Sequence, residues 1–172
     1  VEESAYEQTV ANFEESDWGD RLYCYNATFQ EFADEIAEEK ETYDLIVANP
    51  PFYTDDFETD NDARNKARFT SSLSFEDLIS GVSKILSENG KFTVVIPFKE
   101  EVGFVNLAKS KSLFLNRVCY VQGNPSSVIK RVLLEFSFHQ TDIKKEHLVI
   151  EIERHLYTED YVNLTKDFYL KM

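Results

Sequence analysis

The sequence predicts an α/β domain built on a mostly parallel sheet with right-handed crossovers, and three observations carry that expectation. Amphipathic segments with helix-capping residues alternate with short apolar runs. One run, Tyr43 to Ala48, is almost continuously apolar, as in a strand covered on both faces. Two late runs, Leu113 to Val121 and Arg131 to Phe138, follow one another with no helical segment between them. They add an antiparallel hairpin at one edge of the sheet.

The elements follow in order. Ser4-Ala5-Tyr6-Glu7 has the spacing of a capping box, so a helix opens the chain with Tyr6, Val10 and Phe13 on its apolar side. Arg21 to Asn26 reads as a short strand, and Thr28-Phe29-Gln30-Glu31 repeats the cap ahead of Phe32, Ala33, Ile36 and Ala37. The strand Tyr43 to Ala48 ends abruptly at Asn49-Pro50-Pro51. Phe52 to Leu73 shows no period and is far longer than the usual connection of about 4–6 residues, a length common in functional loops. Ser74-Phe75-Glu76-Asp77 caps a helix that carries Phe75, Leu78, Ile79, Val82, Ile85 and Leu86 on one face, with Asn89-Gly90 as its stop signal. Lys91 to Pro97 reads as a strand, Val102 to Ser110 as a helix, His147 to Arg154 as a further strand and Thr158 to Leu170 as a closing helix.

At 172 residues, 42% of them hydrophobic, the chain suits a single domain, residues 1–172, with a substantial core. No stretch approaches the roughly 18 uninterrupted apolar residues of a membrane span, and no leader pattern is visible. Cys24 and Cys119 lie in apolar stretches and read as buried free thiols, which favours a reducing, cytoplasmic setting. The net charge of −14 argues against a general polyanion-binding surface, but the charge is unevenly placed. Through Asp62 there are 19 acidic and 2 basic residues, whereas from Ala63 onward 16 basic residues outnumber 13 acidic ones. The second part is therefore the part able to meet phosphate.

Asn49-Pro50-Pro51-Phe52 is the segment that carries chemistry. Each proline fixes φ and restricts the residue before it, so the tetrapeptide is a stiff corner that offers an amide side chain, a carbonyl and an aromatic face. The amino group of a planar amine or amide is a poor nucleophile because its lone pair is delocalised. If the Asn49 side-chain oxygen and the Pro50 carbonyl each accept one N–H, the pair localises, while Phe52 stacks on the ring. Asn and Pro also make ordinary turns. Here, however, a strand of buried type precedes them and a long loop follows, at the end of an α/β sheet where ligands collect.

The motif resembles that of S-adenosylmethionine-dependent methyltransferases acting on amino groups. An ordered set of further segments is similar to the bacterial tRNA(Val) adenine-N6 methyltransferases. They are Ala5-Tyr6-Glu7-Gln8, Ser16-Asp17-Trp18, Gln30-Glu31-Phe32, Ala67-Arg68-Phe69-Thr70, Arg131-Val132-Leu133-Leu134 and the terminal Asp167-Phe168-Tyr169-Leu170-Lys171-Met172. The resemblance spans essentially the whole chain. It implies a Rossmann-like class I methyltransferase sheet and methyl transfer from S-adenosylmethionine to N6 of an adenine in the anticodon region of a valine tRNA. Asn49, Pro50, Pro51 and Phe52 would be catalytic. Glu2, Ala27, Thr28 and Asn49 would meet the cofactor, although Thr28 also suits a simple helix cap. The alternatives that keep the motif or the fold are a protein glutamine N5-methyltransferase and a non-catalytic binding fragment.

The family's first strand and the glycine loop after it have no counterpart here, since the five glycines are isolated and no Gly-x-Gly occurs. The expectation is an N-terminally truncated domain, inactive by itself, that binds cofactor weakly and self-associates through an exposed sheet edge. Arg64, Lys66 and Arg68 recur at alternate positions in the long loop, and Lys130-Arg131 stands at a strand start. Together they are the candidate RNA contacts, although any one of them also suits an ordinary solvated surface. His139, His147 and His155 lack the spacing of a metal site, and no metal or membrane partner is expected. Trp18, Phe92 and Phe98 read as packing residues.

Overall fold

A computed structural model describes residues 3–50 and 73–169. Helix α1 spans Glu3–Glu14, followed by a short 3-10 turn at Gly19–Arg21, helix α2 at Phe29–Glu38 and strand β1 at Tyr43–Ala48. After residues 51–72 come helix α3 (Phe75–Ile85), strand β2 (Leu86–Pro97), a 3-10 turn (Phe98–Glu100) and helix α4 (Glu101–Ser110). Strands β3 (Phe114–Gln122), β4 (Ile129–Ser137) and β5 (Lys144–Val149) follow, then the small strands β6 (Glu151–Glu153) and β7 (Leu156–Tyr157) and helix α5 (Glu159–Thr165).

Among the described residues the main sheet has five strands in the order β1-β2-β4-β3-β5. β1 runs parallel to β2 and β3 parallel to β5, while β4 is antiparallel to both β2 and β3. The expected hairpin, β3–β4, is present, but β4 inserts beside β2 and β5 adds outside β3. The hairpin is thus flanked on both sides, and β5 forms that edge.

One face of the sheet carries the core. Phe92, Val94 and Ile96 of β2 lie opposite Phe136, Leu134 and Val132 of β4, all fully or almost fully buried. Leu78, Ile79 and Val82 of α3 and Phe104 and Ala108 of α4 cover them. Phe104 ties the layers together, packing edge-on to Phe75 at 5.0 Å and beside Phe136 at 5.8 Å. A smaller cluster of Ala33, Ile36 and Ile85 fastens α2 to α3, and Phe29 touches both clusters. Gly81 permits this approach, because a Cβ there would stand 2.4 Å from the Phe29 ring.

Several expectations change. Arg21 to Asn26 forms no strand, since an extended segment becomes one only through a neighbour's hydrogen bonds and this segment has no ladder among the described residues. β1 is covered on one face only, with Leu45 58% and Val47 72% exposed on the other. α3 stops at Ile85, and Asn89-Gly90 lies inside β2 rather than ending the helix. Gly90 serves a close approach, since a Cβ there would sit 2.9 Å from the Tyr43 carbonyl oxygen. Ser4 lies within α1 instead of capping it, and His147 to Arg154 is split between β5 and β6, which belong to different sheets. The closing helix is shorter, ending at Thr165. Cys24 and Cys119 are free but only half-buried. Phe92 is buried as expected, whereas Trp18 is 56% and Phe98 42% exposed. Apolar character alone does not say whether a neighbour arrives to cover it. No helix among the described residues is long and apolar enough to cross a membrane.

Candidate active site

Strand direction decides what meets at the carboxyl end of the sheet. Asn49 directly follows β1, is exposed, and precedes the buried Pro50. β2 runs parallel beside β1, with Ala48 opposite Val94, so Pro97 and Phe98 emerge at the same end. β4 runs the other way, which places its first residues there as well. Arg131 lies opposite Pro97 and, on its other side, opposite Val121. Arg131 lies two strands across from Asn49 and two residues further along, which at about 4.8 Å between strands and about 3.3 Å per residue is roughly 12 Å, with Lys130 one residue beyond. Positions 49 and 130–131 are distant in sequence, and the topology makes them neighbours around one mouth.

The start of α2 reaches the same end, because a helix that leads into a parallel strand runs antiparallel to it. Thr28 caps α2 with a full capping box: its Oγ accepts from the Glu31 N–H at 3.2 Å, and Glu31 Oε2 accepts from the Thr28 N–H at 2.9 Å. The Thr28 hydroxyl also donates to Glu31 Oε2 at 2.8 Å. These bonds, the backbone one first, hold the Glu31 carboxyl below the ordinary carboxylate range. Both donors of Thr28 are thereby committed to Glu31, so the cap role is realised. Asn26 Nδ2 donates to Glu3 Oε2 at 2.9 Å, which joins the beginning of α1 to the turn at Ala27.

A second cluster was not anticipated. The Tyr120 hydroxyl donates to Glu101 Oε1 at 3.0 Å, and the Tyr120 ring meets Phe98 edge-on at 5.9 Å and 76°. Burial and the Glu101 carboxylate push the Tyr120 phenol up, so it remains a neutral donor. The available signal was an apolar strand closing on Pro97-Phe98, the same succession of strand, proline and aromatic that marks Asn49 to Phe52.

Of the candidate site residues, Asn49, Pro50, Ala27, Thr28, Lys130 and Arg131 lie in the described residues and gather at this end. Glu2, Pro51, Phe52, Arg64, Lys66 and Arg68 lie outside them. No group of three or more His, Cys, Asp or Glu among the described residues is arranged to hold a metal ion. Cys119 is no activated nucleophile, since burial first and then Glu146 push its thiol up.

The chain is also similar to known proteins as a whole. No family model matches the chain. A protein of Flavobacterium johnsoniae is 50% identical, aligned over all of this chain and 72% of its own length. One from Christiangramia forsetii is 48% identical, over all of this chain and 71% of its own length. One from Bacteroides fragilis is 39% identical, again over all of this chain and 72% of its own. Each is named tRNA1(Val) (adenine(37)-N6)-methyltransferase. Among solved structures, a predicted O-methyltransferase of Agrobacterium tumefaciens superposes with a TM-score of 0.67 at 15% identity, over 96% of this chain and 74% of that one. That likeness shows a Rossmann-like fold.

Proposed function

Because the chain belongs to the tRNA1(Val) (adenine(37)-N6)-methyltransferase family, whose activity is methylation of N6 of an adenine in tRNA, we propose that Asn49 and Pro50 are the groups of this chain that act on the amine. The observation that carries the reading is the exposed Asn49 at the carboxyl end of a parallel strand, with Lys130 and Arg131 at the same end.

The family works with S-adenosylmethionine, which when bound supplies an electrophilic methyl group. The donor set suits such a ligand in part: an exposed amide at Asn49 and the polar turn at Ala27, fastened to the start of α1 by the bond from Asn26 to Glu3. Thr28 contributes its backbone surface rather than its hydroxyl, which Glu31 occupies. Glu2 stands one residue from Glu3 and remains a candidate for the ribose side.

The Asn49 side-chain oxygen and the Pro50 carbonyl accept the two N–H groups of the adenine amine. They turn its lone pair out of conjugation and aim it, and the proline pair keeps the corner stiff so that little reorganisation is needed. Pro51 and Phe52 belong to the same proposed motif, Phe52 with the role of the ring on which the base stacks. The adenine must leave its stack in the anticodon loop to present its amine to this corner. Lys130 and Arg131 hold backbone phosphates at this end of the sheet, and Arg64, Lys66 and Arg68 of the long loop are further phosphate-binding residues of the proposal. A tRNA substrate places the protein in the cytoplasm.

The test is Asn49→Ala in the full-length enzyme. Methylation of tRNA should fall by about 10²–10³ or more, the loss typical of removing one preorganised electrostatic contact. Affinity for S-adenosylmethionine, measured by calorimetry, should change little. Retained methylation would reject the assignment.

A further inference from the structure

An exposed phenylalanine at the catalytic end of a sheet has no place in the core, and Phe98 is held there rigidly. It follows Pro97, whose ring fixes φ, and begins the 3-10 turn Phe98–Glu100. Its edge-on contact with Tyr120 and the hydrogen bond from Tyr120 to Glu101 set the ring's direction. In this arrangement 42% of the residue faces solvent. Register places it near the amine-binding corner. Ala48 is opposite Val94, so Phe98 lies three residues further along its strand direction than Asn49 and one strand across. With about 3.3 Å per residue and about 4.8 Å between strands, the separation is on the order of 10 Å. Pro97 is also flanked by Arg131 on the neighbouring strand, with Lys130 beside it and Lys99 next along the chain. Two acids, Glu100 and Glu101, follow Lys99 in the chain, and Glu101 accepts from the Tyr120 hydroxyl while keeping its charge, so the basic side of the ring is the one toward Lys130 and Arg131.

A partly exposed apolar ring, oriented by Tyr120 and with Lys130 and Arg131 on the neighbouring strand, suits an unpaired nucleobase, which brings a flat π face and a phosphate together. We infer that Phe98 is a positioning residue on which an unpaired base flanking the target adenine stacks, keeping the RNA strand splayed while the adenine occupies the Asn49 corner. Tyr120 and Glu101 act through Phe98 by holding its ring upright. The inference rests on the RNA-methylating function proposed above.

Three variants of the full-length enzyme test it: Phe98→Ala, Phe98→Leu and Phe98→Trp. Leucine keeps apolar volume but has no π face, whereas tryptophan enlarges it. A stacking role gives Phe98→Ala and Phe98→Leu a KM for tRNA raised about tenfold or more with kcat nearly unchanged, and leaves Phe98→Trp at wild-type KM or below. A packing role instead lowers the Tm of both truncations with no change in KM, which would overturn the inference. Affinity for an anticodon stem-loop RNA, measured without cofactor, separates this idea from the one it rests on. Weaker binding by Phe98→Leu supports the stack even if the wild-type enzyme methylates no tRNA, a result that would overturn the substrate assignment alone. Unchanged binding by Phe98→Leu overturns the stack whatever methylation shows.

Discussion

Thr28 and Glu31 show how much a single residue pair does in this chain. Thr28 ends the irregular segment from Leu22 to Asn26 and starts α2, because its hydroxyl and the Glu31 carboxylate satisfy amides that the first helical turn leaves unpaired. Thr28→Ala should therefore lower stability in urea unfolding by about 1 kcal/mol, the usual cost of losing such a cap. The pH dependence has a definite sign. Glu31 has a folded pKa below its ordinary value, first through the Thr28 N–H and then through the hydroxyl. Its contribution is complete above the ordinary carboxylate range and is lost as pH falls through the depressed value. Glu31→Gln should thus separate from wild type at neutral pH and converge with it in acid. A gap that stays constant across that window would show that the carboxylate is not the stabilising form.

At the scale of elements, the contact between α2 and α3 depends on one missing side chain. Alanine is a better helix former than glycine by roughly 1 kcal/mol, so Gly81→Ala ought to stabilise α3 if propensity decided the matter. The Phe29 ring, however, lies 2.4 Å from where that Cβ would be, and Phe29 joins both hydrophobic clusters. Overpacking of this kind costs about 1–3 kcal/mol, so the net expectation is a lower Tm. A raised Tm would mean that the ring moves aside freely. The same packing brings Thr28 to the carboxyl end of the sheet, so Gly81→Ala would disturb the neighbourhood of Ala27 as well.

At the scale of the molecule, β1 is the outer strand of the described sheet, and its Leu45 and Val47 share an exposed face with Leu133 of β4. An edge strand with apolar side chains offers unpaired backbone groups to another copy. The 172-residue chain should therefore associate in a concentration-dependent way in sedimentation experiments, and Val47→Lys should reduce this association. Strictly monomeric behaviour of the wild-type chain at high concentration would contradict the reading. The same arrangement makes the mouth what it is: a parallel β1 and β2 point Asn49 and Phe98 outward together, and an antiparallel β4 returns Arg131 to meet them.

What the sequence determined by itself is local. Thr28, Ser74 and Thr158 begin helices as their side chains required, since a cap acts within three residues. The α/β alternation and the position of Asn49 at a strand end were legible for the same reason, in periodicity and in the stiffness of two prolines. Tertiary structure alone decided the insertion of β4 between β2 and β3, which sets Arg131 beside Pro97. It also decided the exposure of Val47 and Phe98, residues whose apolar character gave no sign of an open face. Strand pairing and burial depend on groups far apart in the chain, and a residue's own chemistry states a preference for cover without saying whether anything comes to provide it.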